Sequence, residues 1–161
     1  MGKVFVISDT HFGHSNIIKY EPEKRPFATI EEHDKELIER WNATVTDKDT
    51  VWHLGDVYFG KNNYWVLGLL KGTKHLVMGN HDHYSIDIYK TYFNKIMPMN
   101  EYSGCLLTHI PVHPCQLSRF TKNIHCHLHS KSIPDNRYVC VSVEHTELRP
   151  VLLKDVINKN D

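Results

Sequence analysis

The chain has 161 residues, 40% of them apolar and 24% charged, with a formal net charge of zero. Those values suit one globular domain spanning the chain, 1–161, with a core of its own. They exclude a general nucleic-acid coat, which would carry a basic excess, and the run of about 18 apolar residues that a membrane helix needs is missing. No leader peptide is legible, since the first apolar run, 4–7, is short. The four cysteines, Cys105, Cys115, Cys126 and Cys140, form no C-x-x-C pair. The expectation is a reduced, cytoplasmic protein with no membrane partner.

In chain order, "KVFVIS" (3–8) reads as a buried strand. Residues 28–45 read as an amphipathic helix: Thr29 and Glu32 make a capping box, and Ile30, Leu37, Ile38 and Trp41 recur at helical spacing. "TVWHLG" (50–55) predicts a second strand, 62–72 a helix closed by Gly72, and "KHLVMG" (74–79) a third strand. A short helix is predicted over 85–95, then strands over 104–110, 123–129 and 138–145. Trp41, Trp52 and Trp65 fit core positions. The order, alternating first and strand-rich later, predicts an α/β protein with a mixed sheet or two packed sheets.

Thirteen histidines are many for this length, and their positions follow a rule. Strand one runs into "SDTH", with Asp9 and His11. Strand two runs into "LGDV", with Asp56, and strand three into "GNHD", with Asn80, His81 and Asp82. "THIP" places His109 after the next strand, and "NIHCHLHS" sets histidines at 125, 127 and 129. On a strand, alternate side chains share a face, so three imidazoles would form one row. Parity alone leaves open whether 125 and 127 or 127 and 129 are the working pair. Each piece has a bland reading, as a cap, a turn or a core histidine. Five segments ending in metal-capable groups at strand carboxyl ends, where α/β folds bind ligands, are hard to explain as packing.

The ordered set D-x-H, G-D, G-N-H-D, H and H-x-H resembles the signature of the calcineurin-like metallophosphoesterase superfamily. "DTHFGHSNI" and "HIPVHP" look like its small bacterial and phage members. The resemblance implies a four-layer αββα sandwich, two mixed sheets flanked by helices, with a dinuclear centre at the strand ends. It implies that Asp9, His11 and His129 hold one ion, that Asp56 bridges, and that Asn80, His109 and His127 hold the other. It favours His127 and His129 over His125, and it makes His81 the acid for the leaving group. Two divalent ions against two carboxylates leave an excess of about two positive charges, suited to a phosphate and a hydroxide. Imidazole, carboxylate and amide ligands favour Mn, with Fe, Ni or Zn as alternatives. The implied reaction is attack of a metal-bridging hydroxide on a phosphodiester of a small, including cyclic, nucleotide. A broad phosphomonoesterase or an inactive metal-binding scaffold are the alternatives.

Two departures stand out. Cys126 occupies the usual glycine before the histidine pair, and Tyr58, Phe59 and Gly60 follow G-D where phosphoprotein phosphatases carry a further Asp and an Arg. Asp82 either orients His81 or anchors its loop. His14, Asn16, His113 and Arg119 stand in loops that could meet a small phosphate-ester substrate; nucleic acid is not expected as the main partner.

Overall fold

Strand β1 (Val4–Ile7) divides its side chains between two cores. Phe5 and Ile7 pack with Val51, Leu76, Leu37, Trp41 and Tyr89 on one side, and Val6 packs with Trp52, Val77, Leu107 and Ile124 on the other. This alternation of two apolar faces is what a strand buried on both sides requires. The computed structural model describes residues 2–159. In it β1 lies between β2 (Thr50–His53) and β9 (Val151–Leu152). With β3 (Thr73–Val77) and β4 (Lys95–Met97) they form a five-stranded sheet of order β4-β3-β2-β1-β9, parallel except for β9. The chain leaves this sheet at Pro98. It then builds β5 (Asn100–Tyr102), β6 (Cys105–Leu107), β7 (Lys122–His125) and β8 (Tyr138–Cys140), a second sheet antiparallel only between β5 and β6. Both sheets are mixed, and the second core lies between them.

Helices cover the outside. Helix α2 (Ile30–Thr44) starts at the Thr29–Glu32 capping box and buries His33, Leu37 and Trp41. Helix α3 (Ile86–Tyr92) buries Tyr89 against the same core. Helix α4 (Leu153–Asn158) returns beside β1 and β9 and inserts Leu153 and Val156 between the sheets. Outside the second sheet the cover is thin. Asn123, pointing away from the inter-sheet core, accepts the Val112 N–H (2.9 Å) and holds the loop that leads into a 3-10 turn at 114–119. A one-turn helix, α1 (Ile17–Tyr20), follows the first loop. No helix among the described residues is long and apolar enough to cross a membrane.

Several elements differ from the sequence reading. Strand β7 stops at His125, so the expected histidine row on one strand face does not form: His127 and His129 have φ of 70° and 52°. The helix expected over 62–72 is a 3-10 segment, Asn63–Leu69, and its Trp65 is 59% exposed rather than in the core. The helix of 85–95 ends at Tyr92, because Lys95 already pairs with His75 in β4. The strand of 138–145 ends at Cys140, after which Ser142 bridges to Ser8 and joins the two sheets. The short strands β4, β5 and β9 have two or three residues each, too few to show a period.

Candidate metal centre

Every sequence-predicted ligand lies two to four residues beyond the end of its strand. Asp9 and His11 follow β1, Asp56 follows β2, Asn80 and His81 follow β3, His109 follows β6, and His127 and His129 follow β7. Five of these take the left-handed backbone region: Asp9 (φ 53°), His11 (50°), Asp56 (56°), His127 (70°) and His129 (52°). Asp and His tolerate that region better than bulkier or branched residues, yet each instance costs about 1–3 kcal/mol. The loops are held by partners that offset it. Asp9 N–H donates to Gly55 O (3.0 Å) and His11 N–H to Asp56 O (3.1 Å). Asp82, fully buried, accepts from the N–H groups of Asp56 (2.8 Å), Val57 (3.0 Å) and Gly79 (2.8 Å). Asp82 therefore anchors the loops after β2 and β3. His81 is steered instead by its N–H bond to Asp56 Oδ1 (2.9 Å) and by Phe59, whose ring centre is 4.9 Å from its own.

The side chains converge as two groups, Asp9–His11–His129 and Asp56–His109–His127, each with its ligand atoms within 4.8 Å of one another. In the first, Asp9 Oδ2 takes three donors: Ser8 Oγ (3.0 Å), Ser142 Oγ and the His127 N–H (3.1 Å). Asp9 Oδ1 takes none, although it is fully buried, and it faces His11 Nε2 at 3.9 Å, also buried and unpartnered. His129 gives its Nδ1–H to Glu144 Oε1 (3.0 Å), leaving Nε2 as a free lone pair. In the second group, His109 gives its Nδ1–H to Leu54 O (2.8 Å). Its Nε2 lies 2.9 Å from Asn80 Oδ1 and 3.4 Å from Asp56 Oδ2, so the three potential ligand atoms face one another. Asp56 Oδ2 also stands 3.6 Å from His11 Nε2, between the groups. Orphaned acceptors in a buried cleft cost free energy unless a cation sits among them. The donor set fits divalent transition metals, which Asp, Asn and His bind together.

Charge follows the same logic. Burial opposes the charge of Asp9, yet the facing His11 and the nearby His109 and His129 hold its carboxyl well below the usual range. Burial draws His11 down to about 4. At His109, burial is outweighed by Asp56 and Asp9, and its pKa is raised; at His129, burial is outweighed by Glu144 and Asp9, with the same result.

Sequence reasoning missed the support beneath this centre. Arg25 is fully buried and gives all its guanidinium groups away: to Glu144 Oε1 (2.8 and 2.6 Å), to the carbonyls of Asp9 (2.6 Å) and Thr10 (3.2 Å), and to His33 Nε2 (3.0 Å). His33 in turn hands its Nδ1–H to Asp34 (2.8 Å). No local motif marks Arg25 or Glu144, which lie 119 residues apart and pair only in the folded chain.

Of the expected substrate contacts, His14 is brought to the centre: its Nδ1 is 3.0 Å from His11 Nδ1, and its ring stacks on Phe59 at 4.0 Å. Asn16 is exposed at the start of α1. His113 caps the 3-10 turn at 114–119 through the Cys115 N–H, and Arg119 is exposed at its end. None of the hydrogen bonds or ion pairs found among the described residues ties these last three to the centre. His125 faces Tyr138 and gives its Nδ1–H to Cys126 O, away from both groups. Cys126 fills the inter-sheet core, with its thiol 3.0 Å from Leu54 O; burial pushes its pKa well up, so it stands as a protonated donor.

The sequence profile of the calcineurin-like phosphoesterases matches residues 2–155. The protein MJ1445 of Methanocaldococcus jannaschii is 36% identical over 170 residues, covering 98% of this chain and 90% of its own. The Gene 66 protein of Mycobacterium phage L5 is 39% identical over 88 residues, 51% of this chain and 41% of its own. The crystal structure of AQ665, a protein of unknown function from Aquifex aeolicus, superposes with a TM-score of 0.78 at 28% identity, covering 98% of both chains. With a matching profile over nearly its whole length and a fold of two mixed sheets flanked by helices, this chain belongs to the calcineurin-like phosphoesterase family.

Proposed function

We propose that the chain is a dinuclear metal-dependent phosphodiesterase for small nucleotides, cyclic ones included. The observation that carries this reading is the pair of ligand groups meeting at Asp56 Oδ2, with Asp9 Oδ1 and His11 Nε2 buried and unpartnered in the first. Asp9, His11 and His129 would hold one ion, Asn80, His109 and His127 the other, and Asp56 would serve both. Manganese is the metal expected first, from the mix of carboxylate, amide and imidazole donors. When bound, the ions supply Lewis acidity to the phosphoryl oxygens and to the attacking water.

The chain's own groups do the rest. His81 has a half-exposed side chain, with Nε2 4.0 Å from Asp56 Oδ2, so it stands at the mouth of the centre. From there it donates a proton to the departing alkoxide. Phe59 packs against the imidazole, and the backbone N–H bond of His81 to Asp56 Oδ1 holds the loop that carries it. Cys126 packs into the core beneath the centre, with its Sγ 3.1 Å from both the Nδ1 and the carbonyl oxygen of His109. The zero net charge weakens long-range attraction to polymeric nucleic acid and favours a small ester.

The test is the purified protein with Mn²⁺, assayed on bis-p-nitrophenyl phosphate and p-nitrophenyl phosphate, then on 2′,3′- and 3′,5′-cyclic nucleotides. Preference for the diester is expected, with two ions bound per chain. Preference for the monoester, or two bound ions without turnover of either, overturns the reading. His81→Ala is expected to lower kcat by about 10²–10⁴-fold with metal content unchanged.

A further inference from the structure

Beside Asn80 and His109 the surface opens into a cavity of about 350 Å³ whose other walls are largely apolar: Met78, Pro98 and Ile110, with Thr108. Met78 and Pro98 also line a neighbouring cavity of about 550 Å³, walled further by Phe93, Ile96 and Met97. Ile110 is 51% exposed and Met97 36%. Among the described residues lining either cavity, His109 and Lys90 are the only ionisable ones, and no carboxylate is present. An apolar hollow that shares two walls with the candidate centre is unlike the rest of that centre, which is built from carboxylates and imidazoles. Its size falls within the range of small-ligand sites. Methionine adapts its shape to flat or flexible apolar groups and contacts aromatic rings favourably through sulfur.

We propose that this trough is the specificity subsite of the phosphoesterase, and that it seats a bulky apolar group carried by one of the substrate's ester oxygens. The inference rests on the proposed catalytic reading, because Asn80 and His109 are what place the trough next to the phosphate. The occupant is part of the substrate: the cavity shares Asn80 and His109 with the centre, and the absence of acidic lining suits an anionic ester. A nucleobase and an alkyl chain are the two sources of such a group.

The test uses the Mn²⁺-loaded full chain and non-hydrolysable probes that share a phosphonate head: methylphosphonate, octylphosphonate and an acyclic nucleoside phosphonate bearing adenine. Calorimetry is expected to give a Kd at least tenfold lower for one of the larger probes than for methylphosphonate, and the tighter one identifies the source. The ¹³C-methyl resonances of Met78 and Met97 should shift with that probe and not with methylphosphonate. Ile110→Ser and Met97→Ser, both at exposed positions, should raise its Kd several-fold and leave that of methylphosphonate within twofold. Equal affinities, unmoved methionine resonances, or no binding of any phosphonate overturns the proposal. So does a dimer in sedimentation that Met97→Ser dissociates, since a second copy would then cover the trough. Tight, apolar-selective phosphonate binding by a protein that cleaves no ester would leave the subsite standing and overturn the catalytic reading alone.

Discussion

Glu144 shows how one buried residue sets the direction of another. Its Oε1 takes the His129 Nδ1–H and two Arg25 donors, which fixes the tautomer of His129 and turns Nε2 toward Asp9 and His11. Glu144→Gln keeps the shape but leaves Arg25 without its counter-charge; metal affinity should fall about 10–100-fold in a chelator competition titration. His53 makes a separate case. Thr10 Oγ1 donates to Val57 O (2.7 Å) and so accepts from His53 Nε2–H (2.9 Å), while His53 Nδ1 accepts from Gly55 N–H (3.1 Å). Both ring nitrogens are committed to the neutral form, and burial pushes its pKa from 6.5 down to about 3. Below pH 6.5 the unfolded chain takes up a proton there that the native chain refuses, so stability is lost as pH falls through that window. The slope expected from this one group is about 1.4 kcal/mol per pH unit. Urea unfolding of the metal-free protein between pH 4 and 6.5 should show a slope shallower by about one proton in His53→Gln than in the parent.

At the scale of elements, the loops after β2 and β3 are built to touch. A Cβ on Gly79 would lie 2.2 Å from Asp56 Oδ1 and 2.5 Å from Asp56 N, so only glycine lets the two loops approach. Gly79→Ala should cost about 1–3 kcal/mol in urea unfolding and displace Asp56, with weakened Mn²⁺ binding in the same preparation. The "GNHD" segment was readable as turn chemistry, but the reason for its glycine belongs to a neighbour 23 residues away and shows only in the fold. Helix α2 was legible in detail, because its cap and its apolar spacing are both local. The histidine strand was legible in content and not in form. Alternation at 125, 127 and 129 imitates a strand, while the left-handed turns at His127 and His129 are imposed by the Asp9 bond to His127 N–H and by Glu144. Trp65 misled for a related reason: the 3-10 spiral of 63–69 turns its side chains at a different pitch from an α-helix, and the indole falls on the open side.

Across the whole molecule, each ligand group draws on both sheets: Asp9 and His11 with His129, and Asp56 with His109 and His127. The chain passes from the first sheet to the second at Pro98, then sends β9 and α4 back to close the first. A nick in the connection at 98–99 would thus divide the polypeptide into two pieces, neither of which carries a full set of donors for either ion. The amino-terminal piece would also expose the bare edge of β1 that the other's β9 must fill. Co-expressed, the two pieces should recover manganese uptake only on reassociation, and calorimetry of each alone should register none. Metal capture in this protein would then report, without any label, that its severed parts have found each other.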